Sequence, residues 1–399
     1  MALNDKGDLI KVSAADLMIG DTLPWTVYDA TGRLLMESGH VISTQSRLNS
    51  IISSGYRLDE LPTEAEELVS EPVTPDLPSP TVYAKDTNPF NELEEMCLEL
   101  EQAFGGIIGD GSFKEGRLER RLYESSSQIQ GLIKLNGDAL LGSIHLSNKF
   151  NYSIKHPLHV AIISSIIADA LELPQDVQLA MIGAAITANV AMSSYQDSLQ
   201  EHKGPLTAEQ EARVKEHPRE SYNLLKTAGI TNPLWLDIVL QHHEKIDGSG
   251  YPEGLRGDQI CLEAKIVGLA DIYSAMISGR AYRPALTPQR SLKQLFMQRG
   301  SFFDESLTNI FLSELGVHPP GSTVELANGE MGVVIKRKAA ESSKPVVSSI
   351  RDRFGTRFMH PVMRDTGDKR YSIKSDVKAE QLGNINPSIL WGLKLMRVS

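Results

Sequence analysis

The stretch from His242 to Arg283 reads HHEKIDGSGYPEGLRGDQICLEAKIVGLADIYSAMISGRAYR, and the interpretation of the whole chain starts from it. Two adjacent histidines and a glutamate open it, a Gly-rich segment ending in Tyr-Pro follows, and an apolar run carries Asp271 towards two arginines, Arg280 and Arg283. Imidazole and carboxylate groups bind divalent metals, and guanidinium groups pair with phosphate oxygens. The stretch therefore predicts a metal-assisted phosphate site.

Length and charge limit what surrounds that site. A chain of 399 residues predicts two or three domains, and 41% apolar with 23% charged residues is typical of a globular protein. The formal net charge of −11 argues against binding duplex DNA, which needs a basic face that releases counterions. A small anion in a local basic pocket is still compatible with this charge.

Cysteine usage and apolar runs predict the compartment. Cys97 and Cys261 lack a CxxC spacing, so neither a disulfide framework nor a thiolate zinc site is indicated. The N-terminal MALNDKGDLIKV lacks the apolar core of a secretory signal, and we find no run of about 18 apolar residues. We therefore expect a soluble, cytoplasmic protein without a membrane span.

Residues 1–58 are predicted to form a small β-rich module. Val27, Leu34–Met36 and Val41–Ile42 suit short strands between turn signals, and Thr44 is a plausible cap for a closing helix. An interaction or regulatory role is the default expectation for this module.

The rest of the chain divides by composition into a linker, a helical domain and a second β-rich part. Residues 59–90 are rich in proline and glutamate and predict an extended linker. Residues 91–315 predict a helical domain, whose first helix has Asn91 as a possible cap and one apolar face, made of Leu93, Met96, Cys97 and Leu100. Residues 316–399 predict a β-rich appendage, since Asn328-Gly329 between two β-prone runs favours a hairpin.

Several segments together resemble the HD-GYP family, a branch of the HD metal-dependent phosphohydrolases. HHEKIDGSGYPEGLRGDQI and ADIYSAMISGRAYR follow the family's signatures, and Lys203–Thr207, Glu216-His217-Pro218 and His156 with Val160 match its upstream elements. The resemblance covers about residues 150–300. It implies a mainly α protein with a helical-bundle domain of the HD-GYP type, which hydrolyses cyclic di-GMP at a centre of two or three metals, usually iron or manganese.

The resemblance also implies roles by position. The implied metal ligands are His156, His217, His242, His243 and Asp271. The implied nucleotide-binding residues are Gly250, Tyr251 and Pro252 in the loop beside the site, with Arg280 and Arg283 on phosphate.

The chain departs from the family pattern at the His-Asp pair itself. Thr187 and Ala188 stand where the family has His-Asp, and Ala191 stands where it has a phosphate-binding lysine. Ser274 replaces a further acidic residue, and Tyr152 occupies the position at which some members have a third-metal glutamate. Without the bridging carboxylate, a two-metal centre loses the link between its cations.

These departures leave three hypotheses open. The first is a catalytically impaired signalling protein that binds cyclic di-GMP or partner proteins, such as those of the GGDEF type. The second is a working cyclic di-GMP phosphodiesterase, producing pGpG or GMP, with an atypical site of iron or manganese, for example a mononuclear one. The third is a helical domain that only supports the N-terminal module, with no metal and with its histidines hydrogen-bonded.

Overall fold

The computed structural model describes residues 9–13, 17, 23, 25–40, 42, 45–58, 77–109, 117–146, 149–202, 204–279, 285–338 and 341–393. Helices form the central part of this described chain, and a small antiparallel sheet lies on each side of it in sequence. The predicted fold class, mainly α with two flanking β-rich parts, is confirmed.

The N-terminal sheet has the strand order β1-β4-β2-β3 and packs on one helix, with elements β1 (Leu9–Lys11), β2 (Val27–Tyr28), β3 (Leu34–Met36), α1 (Gln45–Ser54) and β4 (Tyr56–Leu58). The strands predicted at Val27 and at Leu34–Met36 are present. Ile42 is buried in the core of this module but belongs to no strand, while Val41 and Thr44 lie outside the described residues. β1 and β4 were not among the predicted strands.

The helical part consists of α2 (Pro89–Ile108), α3 (Arg117–Leu146), α4 (Tyr152–Ala170), α5 (Gln175–Thr187), α6 (Ser193–Glu201), α7 (Ala208–Thr227), α8 (Pro233–Gln241), α9 (Leu262–Ile277), α10 (Pro288–Gln298) and α11 (Glu305–Leu315). α4 lies at its centre and packs against α3, α5 and α9. Its sequence YSIKHPLHVAIISSIIADA is apolar around most of the helix, as expected for a helix buried on nearly every face.

The first helix of this part begins earlier than predicted. Its cap is Asn88, whose side chain accepts a hydrogen bond from the Phe90 amide at 3.1 Å, so the prediction of Asn91 as the cap was wrong. Pro89 follows the cap at a position where its missing N–H costs nothing. The predicted apolar face is buried, including Leu93 and Met96.

The described end of the predicted linker, residues 77–88, has no helix or strand and lies against α3. Ser127 on α3 accepts from the Thr81 amide at 2.9 Å and donates to the Ser79 carbonyl at 3.1 Å. This part of the linker is therefore extended but attached. The domain boundaries themselves stay predictions.

The C-terminal sheet has the strand order β8-β7-β6-β5-β9, with β5 (Thr323–Leu326), β6 (Met331–Lys336), β7 (Val346–Arg351), β8 (Arg357–Asp365) and β9 (Ile373–Asp376), followed by α12 (Pro387–Leu390). β5 and β6 pair antiparallel around the predicted Asn328-Gly329 turn. Gly329 has φ 83°, a conformation that glycine adopts without a steric penalty.

The C-terminal part is attached to α3. Arg337 donates to Asp138 at 2.6 Å, and the Trp391 ring lies over Gly142, where any Cβ would clash with it. His145 Nδ1 donates to the Pro320 carbonyl at 2.7 Å, and its Nε2 lies 2.9 Å from the Tyr273 hydroxyl.

One stretch of the described residues, Gln175–Glu201, is long and apolar enough to cross a membrane by length and composition alone. The search for apolar runs in the sequence did not find it. Within the fold, 83% of its most apolar window is buried, as in the core helix of a soluble protein.

His145 gives a prediction on pH and stability. Burial lowers its pKa to about 4, below the value of about 6.5 for an unfolded chain, so the unfolded state binds more protons between these values. Its contribution to stability is therefore complete above pH 6.5 and is lost as pH falls towards 4. Between pH 7.5 and pH 5, the unfolding free energy of the original chain should fall by about 2 kcal/mol more than that of H145Q. Urea denaturation at both pH values measures the difference.

The exposed His360 provides the control for this prediction. H360Q should leave the pH dependence as it is in the original chain. An equal loss of stability at pH 5 in H145Q and in the original chain would contradict the prediction.

Candidate metal centre

Four helices bring the five predicted ligands together. His156 lies on α4, His217 on α7, the His242-His243 pair directly after α8, and Asp271 on α9. All of them except His242 line one cavity of about 180 Å³. His242 lies against it, with its Nε2 3.3 Å from that of His217.

His217 is held by a carbonyl that a proline leaves free. Pro218 lies inside α7. It has no N–H for the carbonyl of Val214, four residues earlier. His217 Nδ1 donates to that carbonyl at 2.6 Å. Pro218 therefore leaves the Val214 carbonyl without a helical donor, and the neighbouring His217 side chain donates to it instead.

His242 is held in the same way by the end of a helix. α8 ends at Gln241, so the Val239 carbonyl has no helical partner and accepts from His242 Nδ1 at 2.7 Å. Burial lowers the pKa of His242 and lowers that of His217 to about 3, which favours neutral rings. A neutral imidazole protonated at Nδ1 has a lone pair at Nε2.

The two Nε2 lone pairs of His217 and His242 therefore face each other at 3.3 Å. Two acceptors at this distance repel unless a cation lies between them. Metal-binding histidines commonly donate their other N–H to a backbone carbonyl, as both do here. His243 completes a group whose ligand atoms lie within 4.8 Å of one another. Ligands of one ion at about 2.1 Å are at most about 4.2 Å apart, so this trio fits a single divalent metal after a small contraction.

Asp271 faces this trio from α9. Its Oδ1 accepts from His156 Nε2 at 2.8 Å and from the Asn189 amide at 3.4 Å, and no described residue donates to Oδ2. Burial alone would raise the pKa of Asp271, but His156 beside it lowers that pKa well below its usual range. The carboxylate is therefore ionised, with one oxygen available to a cation.

His156 is already bonded on both ring nitrogens. Nε2 donates to Asp271, and Nδ1 lies 3.1 Å from the Ser274 hydroxyl. Tyr152 stacks on the ring, with centroids 4.7 Å apart. These contacts hold the His156 ring at the edge of the cavity. The stronger candidates for binding a metal are therefore His217, His242 and His243.

The positions of the family's His-Asp pair supply no ligand. The Thr187 hydroxyl donates to the Gly183 carbonyl at 2.9 Å and accepts from the Trp235 indole at 2.9 Å. The Trp235 ring lies so close over Gly183 that a Cβ there would be 2.1 Å from it. Ala188 is buried and has no polar atom in its side chain.

The Gly-Tyr-Pro loop is organised by Glu244, which follows the two histidines. Its carboxylate accepts from the amides of Glu253, Gly254 and Leu255 at 2.7 to 3.0 Å. Gly250 has backbone too close for any side chain, since a Cβ would lie 2.4 Å from the Lys245 amide nitrogen. Tyr251 stacks beside His243 with centroids 4.8 Å apart, and its peptide bond to Pro252 is cis.

The predicted phosphate contacts, Arg280 and Arg283, lie outside the described residues, as does Lys203. Ala191 is in place at the predicted lysine position, and its amide donates to the Ser221 hydroxyl at 3.2 Å. The positional roles of all the site residues remain proposals.

Sequence reasoning did not find the roles of Asn189, Glu244 and Pro218. Asn189 had a signal, because it directly follows Thr187 and Ala188 on the segment that should carry ligands. The role of Pro218 also had a signal, because a proline after a predicted ligand frees a carbonyl one turn earlier. The contacts of Glu244 depend on the path of the loop, which the sequence does not specify.

The chain is similar to several known proteins. A family model described as "HD domain" matches residues 143–307. The cyclic di-GMP phosphodiesterase PA4108 of Pseudomonas aeruginosa is 25% identical over 84% of this chain and 80% of its own length. The cyclic di-GMP phosphodiesterase response regulator RpfG of Xanthomonas campestris pv. campestris is 36% identical over 49% of this chain, which spans 51% of RpfG. Among solved structures, Bd1817, a HDG"Y"P protein from Bdellovibrio bacteriovorus, matches with a TM-score of 0.48 and 14% identity, covering 76% of this chain and 98% of that one.

The matched region is thus an HD domain. Within that class, the matched region is of the HD-GYP type, because its His-His-Glu and Gly-Tyr-Pro elements lie together beside the histidine site and the matched relatives PA4108 and RpfG are cyclic di-GMP phosphodiesterases. The predicted family is confirmed.

Proposed function

We propose that this chain is a cyclic di-GMP signalling protein whose site binds one divalent metal, iron or manganese, but does not hydrolyse the dinucleotide efficiently. It acts by binding cyclic di-GMP or a partner protein. The observation that carries this proposal is at positions 187 and 188, where the family has its His-Asp pair. The Thr187 hydroxyl is already hydrogen-bonded to Gly183 and Trp235, and Ala188 offers no bridging carboxylate.

A single metal would be held by His217, His242 and His243, with Asp271 Oδ2 facing them. Bound there, a divalent ion would supply a Lewis acid for a phosphate oxygen. Thr187 and Ala188 provide no imidazole or carboxylate that could bind a second ion, and position 191 is alanine where the family has lysine. Loss of one such electrostatic contact typically lowers kcat by about 10²–10³.

The size of the cavity supports weak turnover. Its volume of about 180 Å³ is below the range of about 300–1,000 Å³ of pockets that enclose a small ligand. It accommodates one phosphodiester group more readily than both guanine nucleotides. Tyr251 and Pro252 at its rim are the proposed contacts for the rest of the ligand, together with Arg280 and Arg283.

The relatives' activity gives the substrate class, and the family gives GGDEF-type signalling proteins as candidate partners. Both cysteines are free, Cys97 and Cys261, which supports our proposal that the protein acts in the reducing cytoplasm.

The direct test is anaerobic incubation of the purified chain with iron(II) or manganese(II) and cyclic di-GMP, with metal content measured in the same sample. We expect about one equivalent of metal and a kcat at least about 10²–10³ lower than that of a family member with an intact His-Asp pair assayed in parallel. Turnover comparable to that enzyme would overturn the proposed impairment.

A second candidate is an active phosphodiesterase with a mononuclear site, and the facing imidazoles of His217 and His242 favour it. It predicts measurable hydrolysis that disappears in H217A. Hydrolysis that persists in H217A would have to come from a contaminant.

A further inference from the structure

A second cavity lies on the other side of α4 from the metal centre. Its volume is about 370 Å³, and its walls come from α2, α3, α4 and residues 384–388 before and within α12. α4 contributes Lys155, Leu158, His159 and Ile162, which follow the spacing i, i+3, i+4, i+7 of one helix face. His156 turns to the metal centre instead and lines the first cavity.

The lining of this cavity combines polar side chains with a set of apolar ones. Phe90 and Leu93 line it from α2, Leu158 and Ile162 from α4, and Ile385 from the C-terminal segment. Its volume falls within the usual range of about 300–1,000 Å³ for pockets that bind small molecules. A ligand here would need an apolar body to replace water favourably.

Lys155 gives the cavity an uncompensated positive charge. It is half-buried, and no described residue forms an ion pair or hydrogen bond with its ammonium group. Lys149 lines the same cavity but is paired with Glu94 at 2.5 Å. Lys155 is therefore the cation available to an anionic ligand.

His159 adds a buried polar group without a partner. Its side chain is 5% exposed, and Nδ1 has no hydrogen-bond partner among the described residues. Buried polar atoms are nearly always hydrogen-bonded, so an unpaired one lining a cavity needs an explanation. It lies one helical turn from Lys155, so one ligand can reach both side chains.

We propose that this cavity binds a small organic carboxylate with an apolar body, such as an aromatic acid. The carboxylate pairs with Lys155, a polar atom of the ligand bonds His159, and the body packs against Phe90, Leu93 and Ile385. Inorganic anions lack the apolar part that this lining favours, and cyclic di-GMP carries two phosphates where this cavity offers one unpaired cation. The inference is independent of whether the metal centre is active.

The test is isothermal titration calorimetry of the full chain with 2-naphthoate, and with its neutral analogue 2-naphthamide. We expect saturable binding of the acid at one site per chain. The amide should bind at least about tenfold more weakly than the acid, because it lacks the charge-assisted contact with Lys155. Inorganic phosphate should not compete. Absence of saturable binding for 2-naphthoate, benzoate and hexanoate at millimolar concentration would overturn the proposal.

Two lysines on the same cavity provide matched variants. K155M should weaken 2-naphthoate binding by about tenfold or more, whereas K149M should change it by less than about twofold. H159L removes an unpaired buried polar group, so it should bind the acid more weakly without lowering Tm. Equal affinities for K155M and K149M, or an unchanged affinity in H159L, would show that the acid binds elsewhere.

Discussion

H242A is expected to lower the metal content of the purified protein from about one equivalent to below about one tenth. The substitution removes one of three imidazoles whose ligand atoms lie within 4.8 Å, including one of the two Nε2 atoms that face each other at 3.3 Å. Only two of the three imidazoles remain, fewer than the three or four protein ligands that are usual, and the Asp271 carboxylate is already hydrogen-bonded to His156. The measurement is elemental analysis after anaerobic loading with manganese(II) and gel filtration.

A second readout separates loss of metal from loss of fold. Manganese should raise the Tm of the original chain, because an ion that binds only the folded state stabilises it, and this rise should vanish in H242A. H360A, at an exposed histidine on β8, should keep both the metal and the rise in Tm. Equal metal content in H242A and H360A would rule out the proposed site.

The grouping of the five candidate ligands could be predicted from the sequence because the motif fixes residue types at fixed spacings, whereas their role as ligands stays a prediction. His156, His217, His242, His243 and Asp271 indeed lie together. The missing carboxylate at Ala188 was equally visible, since no neighbouring side chain can substitute for an absent one. These predictions depend only on which residue stands at a position.

Features that depend on backbone paths could not be predicted in the same way. The acceptor for His217 exists because Pro218 interrupts the hydrogen bonding of α7 without ending the helix, and the sequence does not specify whether a proline ends a helix or stays inside it. The cavity behind α4 needs the C-terminal residues 384–388 to fold back on α2, a contact between parts of the chain that no local pattern encodes.

E119A is expected to be the most destabilising single change among those considered, lowering the unfolding free energy by about 2–5 kcal/mol. Glu119 on α3 is 1% exposed. Its Oε1 accepts from the amides of Thr231 and Asn232 at 3.3 and 2.9 Å, and its Oε2 accepts from the Thr231 hydroxyl at 2.9 Å. Removal of the carboxylate deprives three donors, on the exposed Thr231 and the half-buried Asn232, of their acceptor. Urea denaturation of both proteins measures the difference.

This carboxylate also connects the fold to the site. Asn232 caps α8 by accepting from the Trp235 amide at 3.0 Å, and the other end of α8 carries His242. A negative charge near the beginning of α8 is favourable for the helix dipole. We therefore expect E119A to weaken manganese binding as well, although it touches no ligand.

Two variants make the Glu119 prediction specific. E119Q keeps the shape and one acceptor oxygen, and the Thr231 hydroxyl can turn to accept from its amide, so it should cost less than half as much as E119A. E124A, one turn further along α3, breaks only the exposed ion pair with Arg120 and should cost less than about 1 kcal/mol. If E119A cost no more than E124A, the three hydrogen bonds would not be what holds α8 against α3, and the position of His242 would need another cause.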